Sequence, residues 1–114
     1  MTKVNEVIEK PWGREHILVH NDKYVIKRII VDPHQRLSQQ FHKEKHETMM
    51  IEKGQGYISL RYEDKVVVKP GDIFEIEPLV CHRVSTDNES LSILEVSTPE
   101  LFDVVRLEDD YGRA

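Results

Sequence analysis

Short β-branched runs, broken by turn residues every ten or so positions, constrain this chain more than any other feature of its sequence. No long stretch carries apolar residues at helical spacing, so the pattern predicts an all-β sandwich or barrel. The expected strands are Arg14–His20, Lys23–Val31, Leu37–His42, Glu47–Glu52, Tyr57–Tyr62, Lys65–Lys69, Ile73–Ile76, Cys81–Ser85 and Leu91–Val96. Asn21-Asp22, Asp32-Pro33, Lys53-Gly54, Glu63-Asp64 and Pro70-Gly71-Asp72 are the turn chemistry between them. The tail, 99–114, is expected to hold a short helix or strand, with Glu108-Asp109-Asp110 exposed. With no repeat or linker, the 114 residues read as one domain, with a core of about 14–98 followed by the tail.

Charge and cysteine content narrow the function. Sixteen Lys and Arg stand against 21 Asp and Glu, a net charge of −5, which argues against nucleic acid or an anionic membrane as the main partner. A single anionic small molecule in a local basic pocket stays compatible with that balance. Cys81 is the only cysteine, so no intrachain disulfide can form, and a cytoplasmic setting is expected. Apolar runs are far shorter than a membrane span, and Met1 to Glu9 has no hydrophobic core of a signal peptide.

Residues suited to metal chemistry cluster in one place. Gln40, His42, Glu44, His46 and Glu47 fall within eight positions, and His82 follows after the Pro70-Gly71-Asp72 turn. Strand alternation puts Gln40 and His42 on one face, and a turn can return Glu47 to it. Imidazole nitrogens with carboxylate and amide oxygens suit Zn²⁺, Fe²⁺, Mn²⁺ or Ni²⁺. By spacing alone a charged surface turn flanked by histidines is the competing reading.

The stretch Leu37-Ser38-Gln39-Gln40-Phe41-His42-Lys43-Glu44-Lys45-His46-Glu47, with Gly54 after it, resembles the first motif of the cupins. Pro70-Gly71-Asp72 to His82-Arg83 is similar to the second motif. The nearest resemblance is to the isomerase domain of bifunctional phosphomannose isomerase/mannose-1-phosphate guanylyltransferases and to small stand-alone cupins. Lys10-Pro11-Trp12-Gly13 and Val105 to Arg113 resemble that family's flanking signatures, and Lys27-Arg28-Ile29 also fits. The resemblance implies a small cupin, a double-stranded β-helix or jelly-roll barrel, and a divalent metal, zinc first, with manganese, nickel or iron as alternatives. It implies Gln40, His42, Glu47 and His82 as ligands, in the pattern of the monofunctional isomerases. Glu44 stands where the family has a second histidine, so Glu44 and His46 are rival ligands. His34 and Leu79 stand where turn glycines are usual, and Glu77 where proline is usual. Since glycine supplies φ > 0, these loops are expected to be rebuilt.

The implied activity is aldose–ketose isomerisation of a sugar phosphate, resembling mannose-6-phosphate isomerase. Such chemistry needs a base and phosphate-binding cations besides the metal. Glu44 or Glu95 is the candidate base; Lys45 is a candidate for stabilising negative charge, with a solvated turn lysine as the alternative. Arg106 is favoured for the phosphate over Arg28, Arg83 and Arg113, the alternative for each being a salt bridge to the acidic tail. Trp12 and Tyr111 are expected to pack the barrel ends, Met49, Met50 and Ile51 to be core or dimer surface, and Cys81 to be a small buried hydrophobe. His16, His20 and His46 are expected at the surface. A homodimer, with the N-terminal segment covering the partner's sheet, also follows from the resemblance. A non-catalytic cupin that binds a sugar or carboxylate is the alternative function, followed by a metal-dependent dioxygenase. No Gly-rich nucleotide loop is present, so nucleotidyl transfer is not expected of these residues.

Overall fold

The computed structural model describes residues 6–114, and residues 1–5 of the N-terminal segment lie outside it. Eleven strands form: β1 (Glu6–Lys10), β2 (Gly13–His20), β3 (Val25–Val31), β4 (Gln39–Phe41), β5 (Glu47–Gly54), β6 (Gly56–Leu60), β7 (Val66–Val68), β8 (Ile73–Ile76), β9 (His82–Ser85), β10 (Leu91–Ser97) and β11 (Val105–Glu108). They build two antiparallel sheets, a six-stranded one in the order β1-β2-β3-β10-β5-β8 and a five-stranded one in the order β11-β4-β9-β6-β7. This is an all-β barrel, as the spacing of turns predicts, in the jelly-roll form that the family resemblance implies. Among the described residues there is no helix, and hence none long and apolar enough to cross a membrane.

Period-two burial explains the packing. In β3, Val25, Lys27, Ile29 and Val31 are buried while Ile26, Arg28 and Ile30 are less so. In β10, Leu91, Ile93, Glu95 and Ser97 point inward in the same way. Ile29, Val31, Leu91 and Ile93 from these rows meet Trp12, Met49, Ile51, Ile58, Ile76 and Val84 in one core. Lys27 and Glu95 are thus charged residues at core positions. They sit directly opposite each other in the β3–β10 pairing.

Gly54 ends β5 at φ +87, and a Cβ there would lie 1.9 Å from the Ser90 carbonyl oxygen. Only glycine lets β5 approach β10 this closely, just where their register shifts between Ser92 and Ile93.

The structure departs from the sequence reading in several places. Residues 6–10, for which no strand was expected, add a strand to the chain's own β2. The expected strand over 37–42 shortens to Gln39–Phe41, because Leu37 and Arg36 are drawn to β9 through Leu37 N–H to Val84 O and the Arg36–Ser85 bridge. The tail, by contrast, holds a strand, β11, one of its two expected forms, on the edge of the five-stranded sheet. The two loops expected to be rebuilt are not: His34 (φ 58) and Leu79 (φ 69) hold the left-handed turn conformation without glycine. Their N–H groups donate to Asp87 O and His42 O, both at 2.7 Å, which fixes the turns despite the strain.

Candidate metal centre

Sheet register brings the candidate residues together. In the five-stranded sheet Arg106 is directly opposite Gln40, Gln40 opposite His82, and His82 opposite Leu60. Residues directly opposite share a face, so Arg106, Gln40 and His82 project into the barrel in one row. His42 lies two positions from Gln40, just past β4. Across the barrel, β5 begins with Glu47, 1% exposed, and β10 contributes Glu95, 2% exposed. A cavity of about 90 Å³ opens between the two sheets and is lined by Arg106, Gln40, His82, His42, Glu47 and Glu95, together with Lys45 and Lys27.

His42, Glu47 and His82 form the heart of this cavity. One ligand atom from each lies within 4.8 Å of the others, and all three side chains are buried. His42 Nε2 is 3.0 Å and His82 Nε2 3.1 Å from Glu47 Oε1, yet none of these three atoms has a hydrogen-bond partner. The opposite ring nitrogens explain why. His42 Nδ1 meets the Asp103 carbonyl oxygen, and His82 Nδ1 meets the Val80 carbonyl at 2.9 Å. A carbonyl can only accept, so each Nδ1 carries a proton, which leaves Nε2 as the nitrogen whose lone pair can face Glu47. Three acceptors thus face one another in a buried pocket. A cation held between them, or a donating water, resolves that. The donor set, two imidazoles and a carboxylate with their outer nitrogens pinned, fits a divalent transition metal.

A buried charge ladder backs the triad. Lys45 Nζ is 3.2 Å from Glu47 Oε2 and 3.6 Å from Glu95 Oε2. Lys27 Nζ is 3.4 Å from Glu95 Oε2 and donates to Glu15 Oε1 at 2.8 Å. Burial alone would raise the Glu47 carboxyl, but its contacts with Glu95, His42 and His82 and the Lys45 ammonium outweigh it and hold it well below the usual range. Burial first, and then the Glu47 charge, push Glu95 up to about 8. Burial opposes the charge on Lys27, yet Glu95 and Glu15 hold its ammonium above the ordinary value. For Glu15, the Lys27 ammonium outweighs burial and lowers the carboxyl. Glu47 in the triad and Glu95 beside it are therefore pulled in opposite directions.

Other candidates fall on either side of the cavity wall. Glu44 is exposed on the 43–46 turn and does not line the cavity. His46 is also outside it and meets Glu75 at 3.1 Å. Lys45, between these two, turns inward and is 4% exposed, unlike the solvated turn lysine weighed against it. Gln40 lines the cavity, and its Oε1 accepts from Ser38 Oγ at 2.6 Å.

Of the arginines, Arg28 pairs with Glu52 at 2.8 Å, away from the cavity, and Arg83 and Arg113 line it but pair with Glu108 and Asp109. Arg106 has no ion pair among the described residues, and its buried Nε has no hydrogen-bond partner. Trp12 packs in the core at 3% exposure with Tyr111 against it, and Cys81 is buried beside the Gln39 amide.

The sequence reading missed Lys27, Glu15 and Asp103. For Lys27 a signal existed, since it alternates in step with Val25, Ile29 and Val31. For Asp103 there was none, because its partners lie about sixty positions earlier. Its carboxylate accepts the N–H groups of Lys43, Glu44 and Lys45 at 3.1, 2.7 and 3.0 Å. The Glu44 N–H foremost, with those of Lys45 and Lys43, holds this carboxyl below its ordinary value.

Comparison with known proteins follows the same line. The family model described as "Mannose-6-phosphate isomerase C-terminal" matches residues 1–109. The chain is 30% identical over 115 residues to a mannose-1-phosphate guanylyltransferase of Escherichia coli, covering 97% of this chain and 24% of that protein. It is 31% identical over 110 residues to a mannose-1-phosphate guanylyltransferase of Salmonella typhimurium, covering 93% and 23%. It thus spans about a quarter of the length of the curated relatives it matches.

Among solved structures, a cupin-2 domain from Rhodospirillum rubrum superposes with a TM-score of 0.79 at 16% identity, over 90% of this chain and 74% of that one. The capsular polysaccharide assembling protein CapF of Staphylococcus aureus gives 0.77 at 15%, over 91% and 34%. At such identities these superpositions speak to the fold alone, which is that of a cupin.

Proposed function

The chain belongs to the mannose-6-phosphate isomerase C-terminal family, and from that membership we propose that it is a metal-dependent isomerase of a sugar phosphate. The observation that carries this reading is the convergence of His42 Nε2, His82 Nε2 and Glu47 Oε1, each without a hydrogen-bond partner, inside the barrel. His42, His82 and Glu47 would hold the ion, with the Gln40 amide oxygen as a fourth ligand, since an amide oxygen has a lone pair beyond the one given to Ser38. Zinc suits this set first, and manganese, nickel or iron next. When bound, such an ion polarises a carbonyl and the neighbouring hydroxyl of a sugar.

The remaining roles fall to the chain's own side chains. Arg106, with no ion pair among the described residues, binds the phosphate. Glu95 lines the cavity and moves a proton between C1 and C2 of the sugar. Lys45 holds Glu47 and Glu95 in place and presents a cation to negative charge growing on the sugar oxygens. The single cysteine fits a cytoplasmic setting. Met50, Ile73 and Val96, exposed on the outer face of the six-stranded sheet, suit the homodimer that the family resemblance implies.

Metal analysis of untagged protein, joined to a coupled assay with mannose 6-phosphate and fructose 6-phosphate, tests the proposal. A bound metal that His42→Ala and His82→Ala abolish, with turnover in the loaded protein, is the expected result. Unchanged metal in both variants, or no turnover when loaded, would overturn it. A second reading, a sugar-binding cupin without catalysis, is favoured by the placement of Glu44 outside the cavity. Metal-free, inactive protein that still binds sugar is its signature.

A further inference from the structure

We infer that Asp103 is the positioning residue of the His42 ligand: it fixes the ring tautomer that turns the Nε2 lone pair into the cavity. This rests on the metal reading above and adds a residue from the tail to it. The two ligand histidines are restrained very differently. His82 Nδ1 meets the carbonyl of Val80, two residues earlier on the same segment. His42 Nδ1 depends on a carbonyl 61 positions away, that of Asp103.

Asp103 is itself held by its own carboxylate. Oδ2 takes the N–H groups of Glu44 and Lys45 at 2.7 and 3.0 Å, and Oδ1 takes that of Lys43 at 3.1 Å. Thr98 stitches the same two segments once more, with its N–H to His46 O and its Oγ1 taking the His46 N–H, both at 3.0 Å. The carboxylate therefore sets the place of the Asp103 carbonyl and, at the same time, the turn that carries Lys45 toward Glu47. Leu101 and Val104, on either side, line the cavity, and Arg106 follows two residues later.

A neutral imidazole left without a fixed acceptor at Nδ1 samples both tautomers, and a proton on Nε2 blocks the lone pair a metal needs. Asparagine is the informative substitution. It matches the shape of Asp103 but puts an NH₂ donor in place of one carboxylate oxygen. Either amide orientation leaves at least one of the three loop N–H groups facing a donor.

Cobalt(II) titration followed by its visible absorption, with ring ¹⁵N signals of metal-free protein, tests the assignment in wild type, Asp103→Asn and Asp103→Ala. His42→Ala serves as the reference for a lost ligand. Both Asp103 variants are expected to bind cobalt about 10- to 100-fold more weakly. The His42 ring signals should move from a single Nδ1–H tautomer to a mixture while those of His82 stay put. A merely structural loss would shift melting without selecting one ring. Variants that bind cobalt like wild type, with unchanged His42 ring signals, would overturn the assignment. Wild-type protein that takes up no cobalt would refute the metal reading instead, and the ring signals alone would then decide the role of Asp103.

Discussion

Replacing Leu79 with glycine is expected to stabilise the protein, although it deletes a large side chain. Leu79 holds φ 69, where an L-residue with a Cβ is strained by about 1–2 kcal/mol. The side chain is 67% exposed, so little apolar burial is lost with it. Glycine gives back part of the gain, about 0.5–1 kcal/mol, through the greater freedom of the unfolded chain. The net expectation is a gain of about 0.5–1 kcal/mol, or about 3–5 °C in Tm for a chain of this size. Its N–H bond to His42 O survives, because that bond is backbone to backbone.

Leu79→Ala is the necessary control, since it removes the same exposed side chain and keeps the strained φ. It should leave Tm within about a degree of wild type. Urea unfolding with a constant m-value, supported by thermal melts, provides the measurement. Equal effects of glycine and alanine, or a loss with glycine, would refute the claim that strain is stored at this turn.

Three further outcomes are expected. Gly54→Ala should fail to fold or lose several kcal/mol, because its Cβ would sit 1.9 Å from Ser90 O at φ +87; yield and thermal melting of the soluble fraction check this. Asp109 is held at about 2, below its ordinary 3.8, by the Arg113 guanidinium and N–H. Its folded-state value is depressed, so its contribution to stability is complete above about pH 4 and disappears as pH falls through about 2. Arg113→Ala should therefore flatten stability between pH 4 and 2 in acid titrations read by far-UV circular dichroism. Finally, a divalent metal at 100 times its dissociation constant should raise stability by about 2.7 kcal/mol in wild type. A chelator should reverse this, and His82→Ala should show no such shift in thermal melts.

Much of the fold was legible because turn chemistry is local. Pro70-Gly71-Asp72 and Glu63-Asp64 fall between strands as expected, whereas Lys53-Gly54 close β5 itself and the break comes at Gln55; the strands fall within a few residues of their expected bounds. β1 escaped notice because Glu6–Lys10 buries little, and its pairing with β2 is all that makes it a strand. The candidate triad was legible from spacing and resemblance, and register brings His42, Glu47 and His82 to one point. The direction of Glu95 was not decidable, since an alternating strand reads the same from either face; the Lys27 opposite it supplies the missing partner. His34 and Leu79 misled in an instructive way. A missing glycine was read as a changed loop, whereas hydrogen bonds to Asp87 and His42 keep the turn and absorb the strain.

The row Arg106–Gln40–His82 hangs on β4, only three residues long and joined to β9 through a single pair of opposite residues. Side chains alternate between faces, so losing or gaining one residue here would turn Gln40 outward and bring Gln39 or Phe41 into the barrel. His42 would rotate away from Glu47 in the same step. Substitutions at these positions change one contact at a time, but an insertion or deletion rewrites the whole inner wall. The site is therefore guarded more by chain length than by residue identity.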